Sequence, residues 1–295
     1  MKRILCFLLL SLSMNSQALT IGTYNVRNFD YDQRANIRTN KAELGKLINS
    51  LKVDVLSLEE INNTKEFENF TAKTFPGYDT QFSRCGGEHG QHVGFLYNTA
   101  VVEMLSFSED LSISEPGSTG GCDTGSRPAG IALFRVKSTN QRFFGITVHL
   151  KSGSDSSSTA KRLKQFQVIK KIVETLIRTT GVHDFYVAGD MNTTEYLSKG
   201  SDYKALTALA QSLGMVDLTQ NFPCSAYWWG GSDDGIETPS LLDHILVTPG
   251  LVKKQPVAAV HGHCSKVSCR QASLKELGII YGEVSDHCPV TAVIQ

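Results

Sequence analysis

Thr147-Val148-His149-Leu150-Lys151-Ser152 and, further on, Gly189-Asp190-Met191-Asn192 bracket the stretch that decides how this chain folds. Each closes an apolar, β-branched run, over residues 142–150 and 185–188, of the kind that forms a strand. Between them Leu163, Phe166, Ile169, Val173, Leu176 and Ile177 recur at helical spacing within residues 160–178. A strand ending in a polar residue, a loop, an amphipathic helix and a strand ending in an acid is the grammar of a layered α/β protein. It occurs a second time, earlier in the chain. Tyr24-Asn25 is followed by Ile37, Leu44, Leu47, Ile48 and Leu51 at helical spacing in residues 36–51, then by Leu58-Glu59-Glu60. Functional groups of α/β sheets gather outside the carboxyl ends of strands, so Asn25, Glu60, His149 and Asp190 are expected in one cleft.

Working outward, further strand signals cover residues 19–26, 53–58, 93–105 with a break near Asn98, 131–136, 242–247 and 289–294, and a third helix is expected over 202–213. No low-complexity linker divides them, and the Ser-rich run 152–158 is too short to separate domains, so one domain over 19–295 is expected. A composition of 41% hydrophobic and 20% charged residues excludes disordered and coiled-coil classes. Residues 1–18, with Lys2 and Arg3, an apolar run from Ile4 to Leu12 and Ser16-Gln17-Ala18, read as a secretory signal, too short in its apolar part to span a bilayer. Its removal takes two basic and no acidic residues, leaving 27 against 29. That excludes a globally basic nucleic-acid binder but not an enzyme with a local basic cleft. Six cysteines remain, an even count in an exported chain, which favours disulfides over a zinc site at His261, His263, Cys264 and Cys269. Proximity suggests Cys264 with Cys269, and Cys85 with Cys122 would close a loop of natural size, which leaves Cys224 with Cys288 by elimination.

The polar strand ends form a carboxylate, amide and imidazole set: Asn25, Glu60, His149, Asp190 with Asn192, Asp243 with His244, and Asp286 with His287. Carboxylate and amide oxygens suit a hard cation such as Mg²⁺ or Mn²⁺, and imidazoles can exchange protons with a reacting phosphate. The set reads as metal-assisted hydrolysis of a phosphoester. Its segments are Thr23-Tyr24-Asn25-Val26-Arg27-Asn28-Phe29, Leu56-Ser57-Leu58-Glu59-Glu60-Ile61, Thr147 to Ser152, Gly189 to Asn192, Leu242-Asp243-His244-Ile245 and Ser285-Asp286-His287-Cys288-Pro289. In this order, over residues 23–289, they resemble the endonuclease/exonuclease/phosphatase superfamily, which includes DNase I, abasic-site endonucleases, neutral sphingomyelinases and inositol-polyphosphate 5-phosphatases. The resemblance implies a four-layer α-β-β-α sandwich of the α/β class.

Residue by residue, the resemblance implies that Glu60, with Asn25, holds the divalent metal (Mg²⁺ or Mn²⁺) and that Asp286 positions metal or water. Asp190 would orient or deprotonate the attacking water, with Asn192 on the scissile phosphate. His149 and His287 would stabilise the transition state or protonate the leaving oxygen, with Asp243 fixing the His287 tautomer. Arg27 and Arg127 match phosphate-clamping arginines of the DNase I side. Gln91 stands where that group has a carboxylate bonded to the first catalytic histidine, here His149. Glu59, next to Glu60 in a strand, should face the opposite way. The basic face of the second helix, Lys161, Arg162, Lys164, Lys170, Lys171 and Arg178, reads as solvated. Tyr227-Trp228-Trp229-Gly230-Gly231 reads either as a strand and turn packed beside the site or as a surface for bases or lipid.

The expectation is a secreted, monomeric, metal-dependent nuclease without stable membrane insertion, acting on DNA and RNA through backbone phosphates with little sequence preference. A lipid-directed phosphodiesterase or phosphatase of the same fold is the competitor, and an inactive binding or toxin subunit the competitor from another class.

Overall fold

The structure, a computed structural model, describes residues 18–117, 121–232, 234–252 and 256–294, so the expected leader, Ala18 apart, lies outside the described residues. Two six-stranded sheets dominate. The first runs, in spatial order, Val257–Val260, Val290–Ile294, Leu19–Phe29, Val55–Ile61, His92–Asn98, Tyr78–Phe82. The second runs Val216–Asp217, Asp243–Val247, Phe185–Asp190, Arg142–His149, Ala129–Val136, Val102–Asp110. The break expected near Asn98 is where the chain passes from one sheet to the other.

Both β-loop-α-β units are present. Leu19–Phe29 and Val55–Ile61 run parallel with Asn25 opposite Glu59, and Arg142–His149 and Phe185–Asp190 run parallel with His149 opposite Asp190. Leu44, Ile48, Phe67 and Phe70, from the helices Lys41–Leu51 and Thr64–Thr74, pack on Leu56 and Leu58 of the first sheet. Ile21, Val55 and Phe95 meet Phe134, Tyr186 and Ala188 between the sheets. Phe166, Ile169 and Leu206, from the helices Ser156–Thr180 and Ser201–Ser212, cover Ile146, Val148 and Val187 on the far face. These three apolar interfaces make the four-layer α-β-β-α sandwich. Among the described residues no helix is long and apolar enough to cross a membrane.

Several local expectations are corrected. The first helix begins at Lys41, not near Asn36, because the Asn40 side chain accepts from Glu43 N at 3.2 Å and caps it, while residues 31–38 form a short hairpin. Helix Thr64–Thr74 was not expected, since its apolar stripe amounts to Phe67 and Phe70. Arg162 is not on a solvated face. It is fully buried, paired with Asp202 through Nε at 3.0 Å and NH2 at 2.8 Å.

Cys85–Cys122 forms as expected, but the other two bridges are Cys224–Cys269 and Cys264–Cys288. Cys264 lies on the short helix Gly262–Lys266, and Ser268 and Cys269 follow with left-handed φ of 54° each, turning the chain so that the two sulfurs face different partners. Sequence proximity does not align the Cβ directions a bridge requires. The Cys264 and Cys288 sulfurs beside His263 are therefore joined to each other and are not zinc ligands.

Candidate active site

The expected cleft forms where the carboxyl ends of the two sheets meet. From the first sheet, Asn25 Nδ2 donates to Glu60 Oε1 at 3.1 Å and across the sandwich to Asp190 Oδ2 at 3.0 Å. The chain around it is bent to present backbone donors. Arg27, Asn28 and Glu60 all have left-handed φ, and the strand register slips between Leu58 and Ile61. As a result Arg27 N donates to Asn25 Oδ1 and Asn28 N to Glu60 Oε2, both at 2.9 Å. The bulge also divides the two acids as expected: Glu59 is fully buried between the sheets, accepting from Thr23 Oγ1 at 3.0 Å and Thr147 Oγ1 at 2.9 Å. Burial, with the nearby Asp243, drives the Glu59 pKa well above the usual carboxylate range.

From the second sheet, Asp190 Oδ1 accepts from Asn192 N at 2.9 Å, and Oδ2 lies 3.2 Å from His149 Nε2 and 3.6 Å from His287 Nε2. Gly189 makes this close approach of neighbouring strands feasible: its φ is +145°, and a Cβ there would lie 1.9 Å from Val148 O. Burial pushes Asp190 up to about 7, against the pull of His287. Asn192 Nδ2 donates to Leu150 O at 3.1 Å.

His287 lies opposite Asp243, with Nδ1 2.9 Å from Asp243 Oδ2. Burial disfavours its charge, but Asp243 and Asp190 outweigh burial and raise its pKa well above the ordinary value. His149 shows the reverse, its pKa lowered well below the ordinary value by burial, by Arg127 and by His287. The two imidazoles are thus biased in opposite directions, His287 toward the protonated form and His149 toward the neutral one.

The arginines and Gln91 take unexpected partners. Arg127 is buried with Nε 3.0 Å from His149 Nδ1, its NH2 touching both ring nitrogens. Gln91 donates to Asn28 Oδ1 at 2.7 Å, so Arg127 occupies the position beside His149 expected for Gln91. Arg27 donates to Tyr281 O at 3.1 Å and Gly282 O at 2.9 Å, binding the loop ahead of Ser285-Asp286-His287 instead of reaching out free. Trp228 and Trp229 are exposed while Tyr227 is buried, so only the tyrosine follows the packed reading.

Three supporting residues escaped the sequence reading. Ser225 Oγ donates to Asp243 Oδ2 at 2.7 Å and accepts from Asp243 N at 2.9 Å; 18 residues separate them and no local pattern signals the contact. Ser285 Oγ donates to Asn25 O at 2.7 Å and accepts from His287 N at 3.0 Å, and its place in Ser285-Asp286-His287 was a signal. Arg162 donates to Lys151 O, Gly153 O and Thr194 Oγ1, joining the loops that follow His149 and Asp190.

Glu60 and Asp286 supply carboxylate oxygens suited to a hard dication, whereas Asn25 faces Glu60 with its Nδ2 and gives its Oδ1 to Arg27 N. Burial and the charge of Asp286 raise the Glu60 pKa against the pull of Arg127, and a divalent cation held by these carboxylates would supply compensating charge. The model of the Endonuclease/Exonuclease/phosphatase family matches residues 22–287, a span that holds every one of these groups. The chain belongs to this family. Its members are hydrolases of phosphodiesters or phosphate esters that generally use divalent metal ions. No curated protein sequence matches. Among solved structures, an endonuclease/exonuclease/phosphatase from Bacteroides vulgatus superposes with TM-score 0.65 at 18% identity, covering 95% of this chain and 99% of that one. D. rerio TDP2 complexed with single strand DNA product gives 0.65 at 17%, covering 94% and 99%. A Bacteroides thetaiotaomicron VPI-5482 mannosyl-6-phosphatase gives 0.61 at 17%, covering 94% and 99%. At these identities the likeness is one of fold.

Proposed function

We propose that the protein is an exported, divalent-metal-dependent phosphodiesterase that cleaves DNA, and RNA, at backbone phosphates with low sequence preference, as a monomeric single catalytic domain over residues 19–295. The observation that carries the reading is the Asn25–Asp190 hydrogen bond, which joins an oxygen-donor set on one sheet to a proton-handling set on the other within one cleft. The three disulfides fit an oxidising compartment outside the cytoplasm. The single-strand DNA product bound by D. rerio TDP2, a protein of like fold, favours a nucleic-acid substrate.

Asn25, Glu60 and Asp286 would hold Mg²⁺ or Mn²⁺, which when bound neutralises charge on the phosphoryl oxygens. Asp190, with a pKa near 7, takes the proton of the attacking water as its oxygen bonds to phosphorus. His287, held protonated by Asp243, gives a proton to the leaving oxygen as the P–O bond breaks. Neutral His149 and buried Arg127 border the same phosphate, with Arg127 supplying the cationic donor and Asn192 a neighbouring amide. Gln91 acts through Asn28 on the loop that feeds Glu60, and Arg27 acts as the brace of the His287 loop.

The test is a panel of supercoiled plasmid, single-stranded RNA, sphingomyelin vesicles and a soluble phosphoinositide, with Mg²⁺, Mn²⁺ or EDTA and with His149→Ala as control. Metal-dependent plasmid nicking that His149→Ala lacks is expected. Lipid turnover with intact plasmid contradicts the nuclease reading and moves the same machinery to a lipid phosphoester.

A further inference from the structure

The hairpin that leaves the active site carries a feature the catalytic reading does not use. Strand Ala226–Trp228 pairs with Ile236–Ser240, and on its other edge Ala226 forms a bridge with His287. Tyr227 N donates to Asp286 O at 3.0 Å and Cys288 N to Ser225 O at 2.7 Å, the bonds that flank a non-hydrogen-bonded antiparallel pair. Side chains of such a pair lie on the same face and close together, so Ala226 shares its face with the His287 imidazole. Strand alternation then returns Trp228 to that face two residues on, about 7 Å along the strand. Tyr227, on the other face, is 2% exposed and packs among the disulfides, whereas Trp228 is 47% exposed. A large indole held open to solvent on the catalytic face, some two nucleotide rises of about 3.4 Å from the proton donor, is placed to meet what is attached to the reacting phosphate.

The charge of the hairpin selects the occupant. Residues 226–240 contain Asp233, Asp234 and Glu237 and no lysine or arginine. Such a segment brings no cation to backbone phosphates and is repelled by an anionic lipid surface, which binds basic segments. An indole face stacks on any base without needing charge. A base locked inside a duplex cannot offer its face. We propose that Trp228 is a stacking platform for an unpaired nucleobase beside the scissile phosphate, which makes single-stranded nucleic acid the better substrate. This rests on the nuclease reading above.

The test uses a single-stranded oligonucleotide with one hydrolysable phosphodiester, either intact or with the base on one or other side of that bond removed, on wild type, Trp228→Ala and Trp228→Phe. Wild type should lose affinity when one of the two bases is removed. Trp228→Ala should raise KM for the intact oligonucleotide at least about fivefold, the low end of what stacking on one base contributes, with less effect on kcat. Its KM should no longer depend on either base, and Trp228→Phe should recover part of the loss. A wild-type KM on the intact oligonucleotide, or a rise that persists equally on the abasic ones, overturns the proposal. So does a Trp228→Ala defect confined to binding of zwitterionic lipid vesicles, which would assign the hairpin to a membrane. Wild-type protein that cuts neither oligonucleotide nor plasmid overturns the nuclease reading as well, and is distinguishable from wild-type cutting that Trp228→Ala leaves unaltered.

Discussion

The two β-loop-α-β units share one topology and hold their functional groups by different means. In the first, Asn25 and Glu60 are fixed by backbone N–H groups of Arg27 and Asn28, available because Arg27, Asn28 and Glu60 adopt left-handed φ. In the second, Asp190 likewise accepts a backbone N–H, from left-handed Asn192, but a buried side-chain network centred on Arg162 and Asp202, with no counterpart described in the first unit, secures the loops behind His149 and Asp190. The first unit therefore presents the Glu60 carboxylate at a fixed position, as a cation site needs, with Asn25 Nδ2 bonded to it. The second presents groups whose pKa values are displaced by burial and by neighbouring charge, as proton transfer needs.

The largest effects are expected among the proton-handling groups. Asp190→Asn and His149→Ala should each lower kcat by about 10²- to 10⁴-fold with an unaltered melting transition. A loss restored by raising the metal concentration would move Asp190 to the cation half. Next in size is the network behind them. Arg162→Ala leaves Asp202 buried and unpaired and should cost about 3–5 kcal/mol in denaturant unfolding, whereas a truly solvated arginine would cost less than about 0.5 kcal/mol.

Smaller effects sharpen the division of labour. Ser225→Ala removes one donor to the Asp243 carboxylate and should lower kcat about tenfold, with Ser225→Thr recovering it; added to Asp243→Asn it should do little more. The pH dependence should follow the displaced groups. Asp190 works deprotonated and its pKa is raised to about 7, so kcat should fall as pH drops through about 7. His287 works protonated and its pKa is raised, so the alkaline limb should lie well above the ordinary histidine range. A profile whose acid limb sits near pH 4 would show Asp190 titrating as an ordinary carboxylate and remove it as the base.

What could be read from the chain alone was local: polar residues terminating β-branched runs, helical periodicity at Leu163 to Ile177, and the opposite facing of Glu59 and Glu60. What could not was set by contacts distant in sequence. Arg162 looks like its lysine neighbours until Asp202, 40 residues on, packs against it. Cys264 and Cys269 are close in sequence yet face apart because of two left-handed residues between helix and turn. Arg127 takes the place beside His149 expected of Gln91, which bonds Asn28 instead, since which side chain reaches a ring depends on loops converging from separate strands. Helix Thr64–Thr74 had a usable signal, Asn63 followed by Glu66, where the Asn63 side chain accepts from Glu66 N at 3.1 Å.

Within the two units, Glu60 of the first serves cation binding and His149 and Asp190 of the second serve proton transfer, with Asp286 and His287, ahead of strand Val290–Ile294, adding one group to each task. Calorimetric titration of Mn²⁺ into wild type, Glu60→Gln and His149→Ala, with plasmid nicking measured on the same samples, tests this division most directly. Glu60→Gln should lose Mn²⁺ binding and activity together, and His149→Ala should bind Mn²⁺ as wild type does while losing activity. Equal weakening of Mn²⁺ binding in both variants, or undiminished binding in Glu60→Gln, would contradict the division.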